Sequence, residues 1–185
     1  ELLGQAVKAF VVLDPGVTSL FDFRFADIEA YRRLGSQSVR EMDFAWLDNG
    51  ALVLLEVKDF TQVAEALRPE DLVPGKGQPD PHRFRVLIEK VIDSVLMMLS
   101  VWAGMDRGKA LESGMPLQAR TPLPMKLVIA LDLPEGMKVH LQSLRDGLNG
   151  RLQGRTALAG VERVALLHYD QLVSSPMFAG FVRRA

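Results

Sequence analysis

Asp43, Glu56 and Lys58 are the residues whose types and spacing could do chemistry in this chain. Asn49-Gly50 separates two β-type runs, Val39 to Leu47 and Ala51 to Phe60, and this dipeptide is the strongest short hairpin signal. A two-residue loop places Asp43 directly across from Glu56. Facing side chains share one face of a hairpin, with Cβ atoms roughly 4.5 to 5.5 Å apart. Lys58, two residues past Glu56, projects from that same face opposite Glu41. Two opposed carboxylates repel, so either one is protonated or a cation sits between them. A hard divalent cation, Mg²⁺ or Mn²⁺, suits an all-oxygen site of one or two carboxylates completed by water and phosphate. The alternative is a solvated sheet end at which Lys58 pairs with Glu41 or Glu56.

The elements that must hold these residues follow from pattern. Met42, Phe44, Trp46, Val53, Leu55 and Val57 are expected on one side of the hairpin, and Ala45, Leu47, Leu52 and Leu54 on the other. A sheet apolar on both faces is covered on both. Upstream, Gln5 to Asp14 reads as a strand stopped by Pro15-Gly16. Leu20 to Phe25 alternates like a strand, and Ala26 to Leu34 could then form a short helix. Downstream, Thr61 to Leu67 reads as a short helical turn and 68–81 as a Pro/Gly loop. Asp80 and Pro81 supply an N-cap and first helical residue for a long helix, Phe84 to Ala103, closed by Gly104. A second loop, Met105 to Pro124, precedes a buried strand, Met125 to Leu131. The helix Val139 to Leu152 and the strand Val161 to Tyr169 follow. Strands alternating with helices imply parallel pairing, and the hairpin is antiparallel. The expected fold class is therefore α/β, a mixed β-sheet flanked by helices.

Composition sets the frame. A chain of 185 residues, 48% hydrophobic and 24% charged, is expected to form a single domain over 1–185 with one sizeable core. Its start, Glu1-Leu2-Leu3-Gly4, lacks both a signal-peptide pattern and a Met, so an N-terminal segment is read as truncated. No run reaches the roughly 18 to 20 apolar residues of a membrane span; the longest, Val95 to Ala103, contains Ser100. With no cysteine, disulfides, thiolate metal sites and cysteine nucleophiles are excluded, and the cytoplasm is the expected compartment. Net charge is −1, yet residues 1–80 carry −6 and residues 81–185 carry +5. That asymmetry fits a cation site beside a phosphate-binding surface, or charges that interleave once folded.

The passage Arg40-Glu41-Met42-Asp43-Phe44, followed by Leu52-Val53-Leu54-Leu55-Glu56-Val57-Lys58-Asp59-Phe60, resembles the PD-(D/E)xK nuclease superfamily. The resemblance implies a restriction endonuclease-like core and divalent-metal-dependent hydrolysis of DNA phosphodiesters, in repair, recombination or restriction. Asp43, Glu56 and the Val57 carbonyl would ligate Mg²⁺ or Mn²⁺, and Lys58 would orient the attacking water. Met42 stands where many members have Pro. For the additional acid that many members carry, Glu29 is the candidate, with Glu1 and Glu41 behind it. Lys90 and Asp93 interrupt the long apolar helix. A solvated face shared with Arg85 and Glu89 is the simpler reading of Lys90, and contact with a DNA phosphate the other. Arg145 and Arg151 are further candidates for nucleic-acid contact. His82, His140 and His168 have no metal-ligand spacing. One rival function is a nuclease-like DNA-binding or scaffolding module without turnover. Another is a metabolic or regulatory domain in which the three residues form only an ion-pair cluster.

Overall fold

In a computed structural model, residues 23–35, 39–176 and 178 are described. The strand expected over Gln5 to Asp14, and the start of the alternating run at Leu20, lie outside them. The hairpin turn sets the register of the sheet. Asn49 and Gly50 take positive φ, 47° and 76°, the primed-turn geometry that matches the twist of the flanking strands. Strands β1 (Phe44–Asp48) and β2 (Ala51–Asp59) pair antiparallel, with Phe44 opposite Leu55 and Asp48 opposite Ala51. One further step in that register aligns Asp43 with Glu56.

The first strand is shorter than its sequence pattern, which runs back to Val39. Residues 40–42 leave the ladder because the long helix α2 (His82–Trp102) takes their backbone donors. The Arg40 amide donates to Asp93 Oδ2 at 2.9 Å, and the Met42 amide to Ser94 Oγ at 2.8 Å. Met42 consequently packs into the core beneath α2, away from Phe44 and Trp46. For the same reason Glu41 does not face Lys58.

Among the described residues four strands form one sheet, ordered β1-β2-β3-β4. Strand β3 (Met125–Asp132) lies parallel to β2, and β4 (Ala165–His168) parallel to β3, so the sheet is mixed as expected. The predicted strand Val161 to Tyr169 shortens to β4, since Tyr169 opens another helix. Both faces are covered. One carries α2 and a helix at Leu141–Thr156, which pack on Leu52, Leu54, Leu127, Ile129 and Leu166. The other carries the C-terminal helix, whose Tyr169 and Leu172 pack on Val53, Leu55, Val57 and Val128. Two successive parallel crossovers of one hand put both connecting helices on the same face.

Helix α2 is fixed by burial. Phe84, Leu87, Val91, Val95 and Met98 recur at helical spacing and are all buried, each contributing about 1.5 to 3 kcal/mol. It starts at His82, with Pro81 rather than Asp80 at the cap, because both Asp80 oxygens bind the Arg151 guanidinium at 2.9 and 3.0 Å. The expected loop Met105 to Pro124 contains a helix, α3 (Asp106–Glu112), and a 3-10 turn at Leu117–Arg120. Gly108 permits α3 to lie against α2: a Cβ there would come within 2.1 Å of the Ser100 carbonyl oxygen. The later helical region is longer than predicted, a short α4 (Glu135–Lys138) and then α5 (Leu141–Thr156), with α6 (Tyr169–Ser174) after β4. Upstream, α1 (Glu29–Gly35) follows a 3-10 turn, and Phe23 bridges Ala45 beside the sheet. No helix among the described residues is long and apolar enough to cross a membrane.

Candidate functional site

At the carboxyl end of β2, on the face covered by α2, the hairpin brings Asp43 and Glu56 together. Asp43 occupies the bend where the chain enters β1. Its Oδ2 accepts a hydrogen bond from the Val57 amide at 3.0 Å, so the carboxylate extends the ladder by one bond. Its backbone carbonyl accepts from Arg24 Nε at 3.1 Å, and the Arg24 guanidinium lies over the Phe44 ring. Glu56 is fully buried on β2. The opposed placement expected from the turn is therefore present.

The cation between the two carboxylates is Lys90. Its Nζ donates to Glu56 Oε2 at 2.8 Å and to Asp43 Oδ1 at 3.1 Å, and its side chain is only 13% exposed. The solvated face with Arg85 and Glu89 is thus corrected for Lys90, which points inward beside the buried residues Leu87 and Val91. Arg85 and Glu89 remain exposed, and Glu89 reaches Arg40 at 3.1 Å. Asp93 and Ser94 also turn inward, to the amides described above. One turn of α2 therefore supplies Lys90 to the carboxylates and clamps the segment leading to Asp43.

Lys58 shares the face of Glu56. Its Nζ lies 2.9 Å from Glu56 Oε1, in ion-pair contact but outside hydrogen-bond geometry, so this buried oxygen has no hydrogen-bond donor. Burial pushes the Glu56 carboxyl up to about 7, and the charge of Asp43 adds to the rise against the pull of Lys90 and Lys58. Burial alone would lower the Lys90 ammonium, but Glu56 and Asp43 outweigh it and hold the group above its ordinary value. Of the two answers to opposed carboxylates, the cation is present as the Lys90 ammonium.

Glu29 does not join this cluster. It sits at the exposed start of α1 and pairs with Arg33. The acid near the site is Glu41: its half-buried carboxyl takes the Tyr31 hydroxyl and feels Lys90 and Asp43, and burial raises its pKa. Arg145 is partly buried against β4, where its guanidinium donates to the Leu166 carbonyl at 3.0 and 3.2 Å. Arg151 stays half-exposed on Asp80. Of the residues proposed for nucleic-acid contact, only Lys90 reaches the carboxylates.

A cleft of about 600 Å³ opens beside the cluster, lined in part by Arg40, Lys58, Phe60, His82, Arg83 and Lys90. Arg83 lies over the Phe60 ring at 5.5 Å. The convergent Asp43 Oδ1 and Glu56 Oε2 fit two corners of a hard-cation shell, while Glu56 Oε1 is ion-paired with Lys58. Among the described residues no three His, Cys, Asp or Glu side chains converge on one point. Water and substrate oxygens would have to complete the shell, which is usual for Mg²⁺. The pairing of Lys90 with the two carboxylates was missed from sequence because a lone lysine on an apolar helix reveals nothing about the angular phase at which that helix meets the sheet. Its interruption of the apolar stripe was the available signal. No family model, no curated protein and no solved structure matches this chain.

Proposed function

We propose that this chain is a divalent-metal-dependent phosphodiesterase acting on DNA, with a restriction endonuclease-like core of the PD-(D/E)xK type. The observation that carries the reading is the convergence of Asp43 and Glu56 on a single cation position, with Lys58 on the same face, behind a cleft that Lys58 and Lys90 line. Asp43 and Glu56, with the Val57 carbonyl, would hold Mg²⁺ or Mn²⁺. When bound, such an ion supplies Lewis acidity and lowers the pKa of water. Lys58, 26% exposed where it lines the cleft, would orient the attacking water and offset negative charge gathering on the phosphate. Arg40 and Arg83 add positive charge to the same wall, which also carries Asp59, Glu70 and Asp71.

A second reading has its own support: Lys90 already fills the cation position, and Glu29 is remote from it. This reading is a nuclease-like module that binds DNA or scaffolds a complex without turnover. Cleavage of linear, branched and single-stranded DNA, with Mg²⁺ and with Mn²⁺, separates the two when run beside a binding titration. For the enzyme, Lys58→Ala lowers the cleavage rate by about a hundredfold or more while changing DNA affinity little, because Lys58 acts mainly in the transition state. Intact DNA binding with no cleavage of any substrate by the wild type leaves the binding module standing.

A further inference from the structure

We propose that Lys90 is an internal occupant of the divalent-ion position, and that the ion and a substrate phosphate together draw its ammonium out into the cleft. This rests on the metal reading above. The same two carboxylate oxygens that would ligate the ion are held by one Nζ, at 2.8 and 3.1 Å. Mg²⁺ requires oxygens at about 2.0 to 2.1 Å, so ammonium and ion compete for the same point.

Charge balance gives the competition its direction. With every group ionised, Asp43, Glu56 and Glu41 are matched by Lys58, Lys90 and Arg24, and the cluster is neutral. A divalent ion added to it would leave an excess of two positive charges in a site where Glu56 is fully buried, an arrangement that burial strongly disfavours. Moving the Lys90 head group away relieves half of that excess. A phosphodiester entering the cleft brings negative charge that relieves more, and it gives the displaced ammonium a partner. Ion and phosphate therefore bind with positive coupling, each favouring the form of the site that the other requires.

The path for this movement exists. Lys90 lines the cleft with Lys58, Arg40 and Arg83 and with the acids Asp59, Glu70 and Asp71, and its four-carbon stem can swing without moving the backbone. The backbone itself is held by the buried stripe of α2 and by Asp93 and Ser94. In the displaced form Lys90 is a phosphate contact. In the resting form it keeps two carboxylates neutralised in the absence of substrate.

The test titrates Mn²⁺ into the full chain by calorimetry, as wild type, Lys90→Gln and Glu56→Gln, with and without a thymidine dinucleotide carrying an uncleaved phosphorothioate link. Wild type is expected to bind Mn²⁺ weakly alone and more tightly with the dinucleotide. Lys90→Gln, whose amide keeps a donor for the carboxylates, should bind Mn²⁺ alone roughly tenfold or more tighter than wild type, which corresponds to Lys90 leaving the position unaided in about a tenth of molecules or fewer. Equal Mn²⁺ affinity in wild type and Lys90→Gln overturns the inference and leaves the metal reading in place. Absence of Mn²⁺ binding in wild type and Lys90→Gln, with and without dinucleotide, overturns both. Should Lys90→Gln fail to fold, acylation of wild-type lysines read by mass spectrometry decides. Lys90, shielded in the ion-free chain, should become reactive under saturating Mn²⁺, and continued protection with Mn²⁺ bound overturns the displacement.

Discussion

Burial and charge both act on Glu56, and its behaviour can be measured without any substrate. Its carboxyl titrates near 7 when folded, against 4.5 for an unperturbed glutamate. Between those values the folded chain binds more protons than the unfolded one, so stability falls as pH rises from about 4.5 to about 7, then levels off for this group. Glu41 is raised in the same direction by burial and adds to the fall. Denaturant titrations at several pH values should show the decline in wild type and a shallower one in Glu56→Gln. An identical decline in both would remove Glu56 as its source. How far the site was legible divides at the same residue. The facing of Asp43 and Glu56 followed from the Asn49-Gly50 turn, a local signal two residues long. The inward turn of Lys90 followed from the angular phase of α2 against the sheet, which is set by long-range packing of Phe84, Leu87 and Val91. The acid beside the cluster, Glu41, was ranked behind Glu29 because its position depends on the chain leaving the ladder before Phe44.

At the scale of elements, α2 does two jobs: it closes the core over β2 and β3, and it clamps the segment Arg40 to Asp43. That clamp explains why a run with strand composition from Val39 does not pair as one. Its amides find Asp93 and Ser94 instead of a neighbouring strand, and backbone donors follow whichever acceptor is placed to satisfy them. Helix α3 escaped the sequence pattern because Gly108 weakens helix propensity, while the contact it permits with Ser100 depends on the turn at Gly104 that folds α3 back on α2. Two glycine substitutions separate local from packing effects. Gly50→Ala meets no atom within 4 Å but keeps φ at 76°, so its cost should be the backbone strain alone, about 1 to 2 kcal/mol. Gly108→Ala drives a methyl into the α2 backbone and should cost more, since α3 must move. Comparison of the two unfolding midpoints checks this, and a Gly108→Ala loss no larger than that of Gly50→Ala would contradict the close packing of α3 on α2.

Among the described residues, part of the charge asymmetry between the first 80 residues and the rest resolves into contacts. Lys90 pairs with Asp43 and Glu56, Lys126 with Asp48 and Arg151 with Asp80, each joining the basic stretch to the acidic one. Interleaving accounts for these pairs, and the cleft wall also carries both signs, with Lys58, Arg40 and Arg83 beside Asp59, Glu70 and Asp71. The mixed sheet with helices on both faces was readable from the alternation of strand and helix patterns. Which helix covers which face was not, because it depends on connection geometry. The claim that joins these scales is that the Asp43–Glu56 pair is a divalent-cation site. Crystals grown with Mn²⁺ and the phosphorothioate dinucleotide, with diffraction recorded at the manganese edge, test it most directly. The expected result is an anomalous peak about 2.0 to 2.3 Å from carboxylate oxygens of both Asp43 and Glu56, with the Lys90 ammonium turned into the cleft. Lys90 remaining between the two carboxylates with no peak beside them would contradict it.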